Sequence, residues 1–92
     1  MNIQHKLSGN DGLFFIKEES SVIAELIYSM EGDKLMLIKH VEVNPELRGQ
    51  GIGNSMVKEA ARHAREKGIK IRPLCYFAKV SMRGDEYKDV LA

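Results

Sequence analysis

The nine residues Pro45-Glu46-Leu47-Arg48-Gly49-Gln50-Gly51-Ile52-Gly53 carry the densest chemical signal in the chain. Glycine at three alternate positions is a costly way to begin a helix, because each one loses more backbone entropy on folding than another residue would. What such a run permits is close approach. Where a strand ends and a helix begins, the first backbone N–H groups have no partner within the helix, and the helix dipole adds partial positive charge. A phosphate can reach those N–H groups when side chains are missing, and Arg48 can add a charged donor at the edge. The spacing separates this run from two other phosphate sites. A P-loop needs Lys and then Ser or Thr after its last glycine, where Ile52-Gly53-Asn54 stands. A dinucleotide fingerprint reads Gly-x-Gly-x-x-Gly, and the run here is Gly-x-Gly-x-Gly.

Five other residues could move protons or acyl groups. His40 and Glu42 alternate just upstream of the glycines, so one strand face would carry both, and either could accept a proton directly or through water. Such a pair is also what an ordinary half-exposed strand displays. Cys75 is the chain's single thiol. A lone cysteine commonly ends as a small buried hydrophobe, although a helix starting at Tyr76 would favour its thiolate. Tyr76 and Tyr87 are candidate proton donors or plain packing residues. His5, His40 and His63 are scattered without the spacing of a metal site, and no metal is expected.

These residues need elements to position them. Ile3 to Leu7, Leu13 to Lys17, Ser21 to Met30 and Lys34 to Val43 read as successive strands, separated by turn signals at residues 8–12, 18–20 and 31–33. In the last of them Leu35, Leu37, Val41 and Val43 would share one face, with Met36, Ile38, His40 and Glu42 on the other. From Gly51 the period changes. Ile52, Met56, Val57, Ala60, Ala61 and Ala64 fall at helical spacing, with charged residues and His63 on the solvated side and Gly68 as the C-cap. Ile69 to Leu74 resumes as a strand, where Pro73 suggests an edge or a pulled-apart neighbour. Cys75 to Met82 and Asp85 to Leu91 are predicted as two short helices broken at Gly84. The pattern predicts an α+β fold with a mixed sheet.

Bulk properties bound the function. Ninety-two residues imply one domain, spanning 1–92. A net charge of +1 argues against an extended nucleic-acid footprint. One cysteine cannot form an internal disulfide, which suits a cytoplasmic protein stabilised by packing. No run approaches the ~20 apolar residues of a membrane span, and the polar opening residues do not read as a secretory signal.

Arg48-Gly49-Gln50-Gly51-Ile52-Gly53 also fits the pattern Gln or Arg, two residues, Gly, one residue, Gly or Ala. In this the chain resembles the GNAT acyltransferase superfamily, whose pyrophosphate loop carries that signature. Residues 34–78 resemble the family's fourth strand, central helix and fifth strand. Over its whole length the chain is similar to a branch of minimal single-domain GNAT-like proteins. That branch pairs a late fourth-strand His with a Pro-x-Cys after the fifth, here His40 and Pro73-Leu74-Cys75, and carries a Tyr in its closing segment, here Tyr87.

The resemblance implies a meander, a helix, a parallel strand and short C-terminal helices. It implies acetyl-CoA as acyl donor. The pantetheine arm would bond to backbone at Val41 to Val43 between splayed fourth and fifth strands, and Arg48, Gly49, Gln50, Gly51, Ile52 and Gly53 would cradle the phosphates. Cys75 would face the thioester, as a nucleophile or a hydrogen-bond donor, while His40 or Glu42 would take a proton from an amine acceptor. That acceptor is a small molecule or a protein. Most GNAT enzymes are longer, so the acceptor pocket is expected to be open or absent. The expected activity is N-acetyl transfer; a non-catalytic acyl-CoA-binding module or a small interaction domain are the alternatives.

Overall fold

The computed structural model describes residues 2–92. Four strands form an antiparallel meander: β1 (Gln4–Ser8), β2 (Asp11–Glu18), β3 (Ser21–Glu31) and β4 (Leu35–Val43). Helix α1 (Ile52–Lys67) then crosses the sheet to β5 (Lys70–Pro73), which pairs with β4 in parallel. The strand order is therefore that of the sequence, β1-β2-β3-β4-β5. A short helix, α2 (Tyr76–Ser81), follows. The hairpins are tight. At the β2–β3 connection Glu19 and Ser20 take positive φ values of 49° and 71°, the backbone twist that a two-residue hairpin turn demands even of non-glycine residues.

Helix α1 covers one face of the sheet. Its Ile52, Met56, Val57, Ala60, Ala61 and Ala64 are buried against Phe14, Ile16, Leu26, Tyr28, Met36, Ile38 and Ile71. Each large apolar side chain removed from water contributes roughly 1.5–3 kcal/mol, and the alanines let the helix lie close to the strands. Gly68, with φ 68°, caps the helix by donating its N–H to Ala64 and Arg65 carbonyls. Among the described residues no helix is long and apolar enough to cross a membrane.

Strand β4 departs from the simple alternation expected of it. Tyr28 pairs with Ile38 but Ile27 pairs with His40, so Lys39 is an extra residue opposite β3. The resulting bulge exchanges the faces midway along the strand. Met36 and Ile38 pack under α1 before it, and Val41 and Val43 pack against the same core after it. Leu35 and Leu37 share the outer face with His40 and Glu42, so the predicted grouping of Leu35 and Leu37 with Val41 and Val43 is corrected. A strict period of two cannot register an inserted residue.

The partnership of β4 and β5 is brief. It runs from Leu35 opposite Lys70 to Ile38 opposite Pro73, and a last bond goes from Leu74 N–H to the Ile38 carbonyl at 2.8 Å. After Leu74 the chain turns off into α2, and beyond Ile38 β4 continues paired on its β3 side alone.

The second C-terminal helix predicted at Asp85 to Leu91 is reduced to a 3₁₀ turn at Asp85–Tyr87. Lys88 to Val90 continue as hydrogen-bonded turns, with the Val90 and Leu91 N–H groups both donating to the Tyr87 carbonyl at 3.1 Å. The chain meets β5 at a single bridge between Leu91 and Ile71, where Ile71 N–H donates to the Val90 carbonyl at 2.7 Å and Ala92 N–H to the Ile71 carbonyl at 2.8 Å. The edge of β5 thereby gains the backbone partners that helix formation would have denied it. Arg65 holds this segment, donating to the Asp89 carboxylate from Nε at 2.7 Å and to the Glu86 carbonyl from Nη2 at 2.7 Å.

Candidate functional site

The connection from β4 to α1 is built in two steps. Asn44 caps a 3₁₀ turn at Pro45–Leu47, its Oδ1 accepting the Glu46 N–H at 3.1 Å. The chain then passes through two left-handed residues, Gly49 at φ 84° and Gly51 at φ 79°. Only glycine visits that region without strain, so these two positions are glycine for their backbone. Gly51 is the N-cap of α1, and no side chain caps the helix there. The first-turn N–H groups thus point outward unsatisfied, with no acidic residue in that turn. Gly53 differs, because it lies inside the helix and the Phe77 ring rests where its Cβ would be, at 2.6 Å from Cζ.

This loop forms one end of a cavity of about 750 Å³. The wall consists of His40, Val41, Glu42 and Val43 from β4, of Leu47, Arg48, Gly49, Gly51, Ile52, Gly53 and Asn54 from the loop and first helical turn, and of Phe77 from α2. The cavity therefore runs along the β4 backbone where β5 has left it. Of the residues expected to hold a cofactor, Val41, Val43, Arg48, Gly49, Gly51, Ile52 and Gly53 line it, and Gln50 does not. A second concavity of about 390 Å³ shares Glu42, Val43 and Arg48 and extends along the start of β3.

The expected chemical residues are only partly gathered. His40 and Glu42 line the cavity with Nε2 and Oε2 3.6 Å apart, both more than half exposed. Cys75 is half-buried and does not line it. It is the N-cap of α2, its Sγ accepting the Ala78 N–H at 3.4 Å, and Phe77 two residues on supplies the cavity wall. Tyr76 is exposed, while Tyr87 is buried in the core beside Arg65 and away from the cavity wall. Among the described residues no three His, Cys, Asp or Glu side chains gather as a metal site.

One cluster was not foreseen. His5 on β1 stacks on Phe14 with ring centroids 4.1 Å apart, meets His63 of α1 at 4.7 Å, and pairs with the Tyr28 hydroxyl at 2.7 Å. Partial burial lowers the pKa of both histidines below the ordinary 6.5, and the charge of His63 adds to the effect on His5. Sequence spacing holds no signal for it, since residues 5 and 63 meet only through the packing of α1 on the sheet.

Comparison with known proteins sets this site in context. The family model described as GCN5-related N-acetyl-transferase matches residues 13–90. The chain belongs to the GCN5-related N-acetyltransferase family. The solution structure of a GCN5-like protein from Staphylococcus aureus is 34% identical, with a TM-score of 0.73 over 99% of this chain and 89% of that one. An IAA acetyltransferase from Bacillus cereus is 25% identical with a TM-score of 0.61, covering 70% of this chain and 43% of its own. A GNAT acetyltransferase from Elizabethkingia anophelis, solved with acetyl-CoA bound, shares the fold at a TM-score of 0.61 and 22% identity. This chain spans 42% of that protein's length. No curated protein matches the chain.

Proposed function

We propose that this member of the GNAT family is an acetyl-CoA-dependent N-acetyltransferase whose donor site is the cavity between the free edge of β4 and the start of α1. The observation that carries the reading is that an uncapped helix N-terminus and an unpartnered strand edge bound one cavity. The first suits a pyrophosphate and the second an amide-bearing arm, and CoA carries both. Arg48 stands at the anionic end. His40 and Glu42 stand along the strand, where the thioester would lie beyond the arm.

In direct transfer the acceptor amine attacks the thioester carbonyl. A C–N bond forms, the C–S bond breaks, and CoA leaves as a thiolate. The amine sheds one proton, which His40 or Glu42 can accept directly or through water. Cys75 offers a second route, supported by the Ala78 N–H directed at its sulfur. Its thiolate would attack the same carbonyl and carry the acetyl group as a new thioester before the amine takes it. Exchange between thioesters is nearly balanced in energy, so orientation supplies most of the rate. The open cavity admits an amine on a small molecule or on a protein.

Calorimetric titration with CoA and acetyl-CoA tests the site. Intact-protein mass spectrometry after incubation with acetyl-CoA then tests the route. A product one acetyl group heavier, mapped to Cys75 and absent from Cys75→Ser, supports the two-step route. Absence of the adduct with full turnover in Cys75→Ala establishes direct transfer. Binding without turnover across a broad panel of amines and proteins would instead leave a CoA-binding module.

A further inference from the structure

Phe77 is the one residue in the cavity wall that comes from neither β4 nor the loop and helix that follow it. It sits on the second residue of a short helix and is 42% exposed. Its ring nevertheless has a fixed seat. A Cβ on Gly53 would lie 2.6 Å from Phe77 Cζ and 3.0 Å from Cε2, far inside contact distance. Three further features anchor α2 beside that seat. Ala78 and Met82 are buried in the core, Ser81 Oγ donates to Asn54 Oδ1 at 2.8 Å, and Cys75 caps the helix.

We infer that Phe77 is a positioning residue of the donor site: seated on Gly53, its ring forms the side of the cleft facing β4 and orients the apolar part of the pantetheine arm. This rests on the donor-site reading above and extends it. Gly53 does not take a left-handed conformation, and it needs no backbone freedom that alanine lacks. Its lack of a side chain is explained by the ring lying on it. The third glycine of the loop then serves the cleft width, while Gly49 and Gly51 serve the loop backbone. The same seat sets the position of α2 and, with it, of Cys75 at that helix's start. An added methyl at residue 53 must displace this ring, and the ring is part of the cleft wall.

A double-mutant cycle tests this, using Gly53→Ala, Phe77→Ala and the pair, with CoA binding followed by calorimetry and folding by thermal unfolding. Gly53→Ala should weaken CoA binding by about tenfold with Phe77 present and change it less than about twofold in the Phe77→Ala background. Phe77→Ala alone should weaken CoA binding severalfold while leaving the weaker binding of ADP, which lacks the pantetheine arm, unchanged. An equal loss from Gly53→Ala in both backgrounds would show that residue 53 faces the phosphates, and the inference would fall. Unchanged CoA affinity in Phe77→Ala would also overturn it. Should the wild-type chain bind no CoA, the donor-site reading fails separately. The seat is then read from unfolding alone, where Gly53→Ala must lower Tm only when Phe77 is present.

Discussion

Gly51→Val is the sharpest perturbation of the proposed donor site. Gly51 has φ 79°, and nothing lies within 4 Å of the position a Cβ would take. An added Cβ therefore meets no distant neighbour, and the main folding cost is backbone strain, about 1–2 kcal/mol for an ordinary residue in the left-handed region and more for a β-branched one. A domain of this size should lose roughly 4–8 °C in Tm for each kcal/mol, and it should remain folded against a typical stability of about 5–15 kcal/mol. The effect on binding is separate. The new side chain stands at the uncapped helix start, where a phosphate has to meet backbone N–H groups. Losing one hydrogen bond to a charged group costs about 1.5–3 kcal/mol, equivalent to roughly 10–150-fold in Kd. Calorimetry with CoA measures it, alongside a thermal melt that confirms the fold. A Gly51→Val protein that melts cooperatively and binds CoA within twofold of wild type would refute the assignment of this loop to the phosphates.

The other predictions concern catalysis and stability. If His40 or Glu42 takes the acceptor's proton, His40→Ala or Glu42→Gln should lower turnover by about 10²–10⁴-fold with CoA affinity nearly unchanged, and equal turnover in both variants would make them a surface pair. Since the folded chain depresses His5 and His63 below 6.5, the unfolded chain takes up protons first as pH falls. Stability should be level above about pH 7 and decline as the pH drops through the ordinary histidine range, less steeply in His63→Gln; urea melts across that range check this. Glu59 and Asp89, held below the usual carboxylate range by hydrogen bonds from Arg62 and Arg65, should add losses only at lower pH. Arg65→Ala removes the donors that hold Asp89 and the Glu86 carbonyl, so amide exchange should accelerate in residues 85–92 while β2 and β3 stay protected.

Much of the site could be read along the chain because its parts are local. The switch from period two to helical spacing near Gly51, the Gly68 cap and the loop from Arg48 to Gly53 depend on neighbouring residues alone, so α1 and the glycine loop at one end of the cavity were predictable. The family signature lies in that same stretch. The strands of the meander followed for the same reason, each bounded by its own turn signal.

What folding alone decided involves residues distant in sequence or backbone partners that composition does not name. The extra residue Lys39 shows only against β3, and it moves Val41 and Val43 under α1 while His40 and Glu42 stay on the outer face. The segment after Tyr87 suits a helix by composition, yet it breaks off after a further turn, because the edge of β5 at Ile71 offers an N–H and a C=O that Val90 and Ala92 pair with. His5 and His63 have no sequence relation until α1 packs across the sheet and presses their rings together. Gly53 looks like its two companions in the sequence. Only the approach of Phe77, twenty-four positions later, separates a glycine that makes room for a ring from two that bend the backbone.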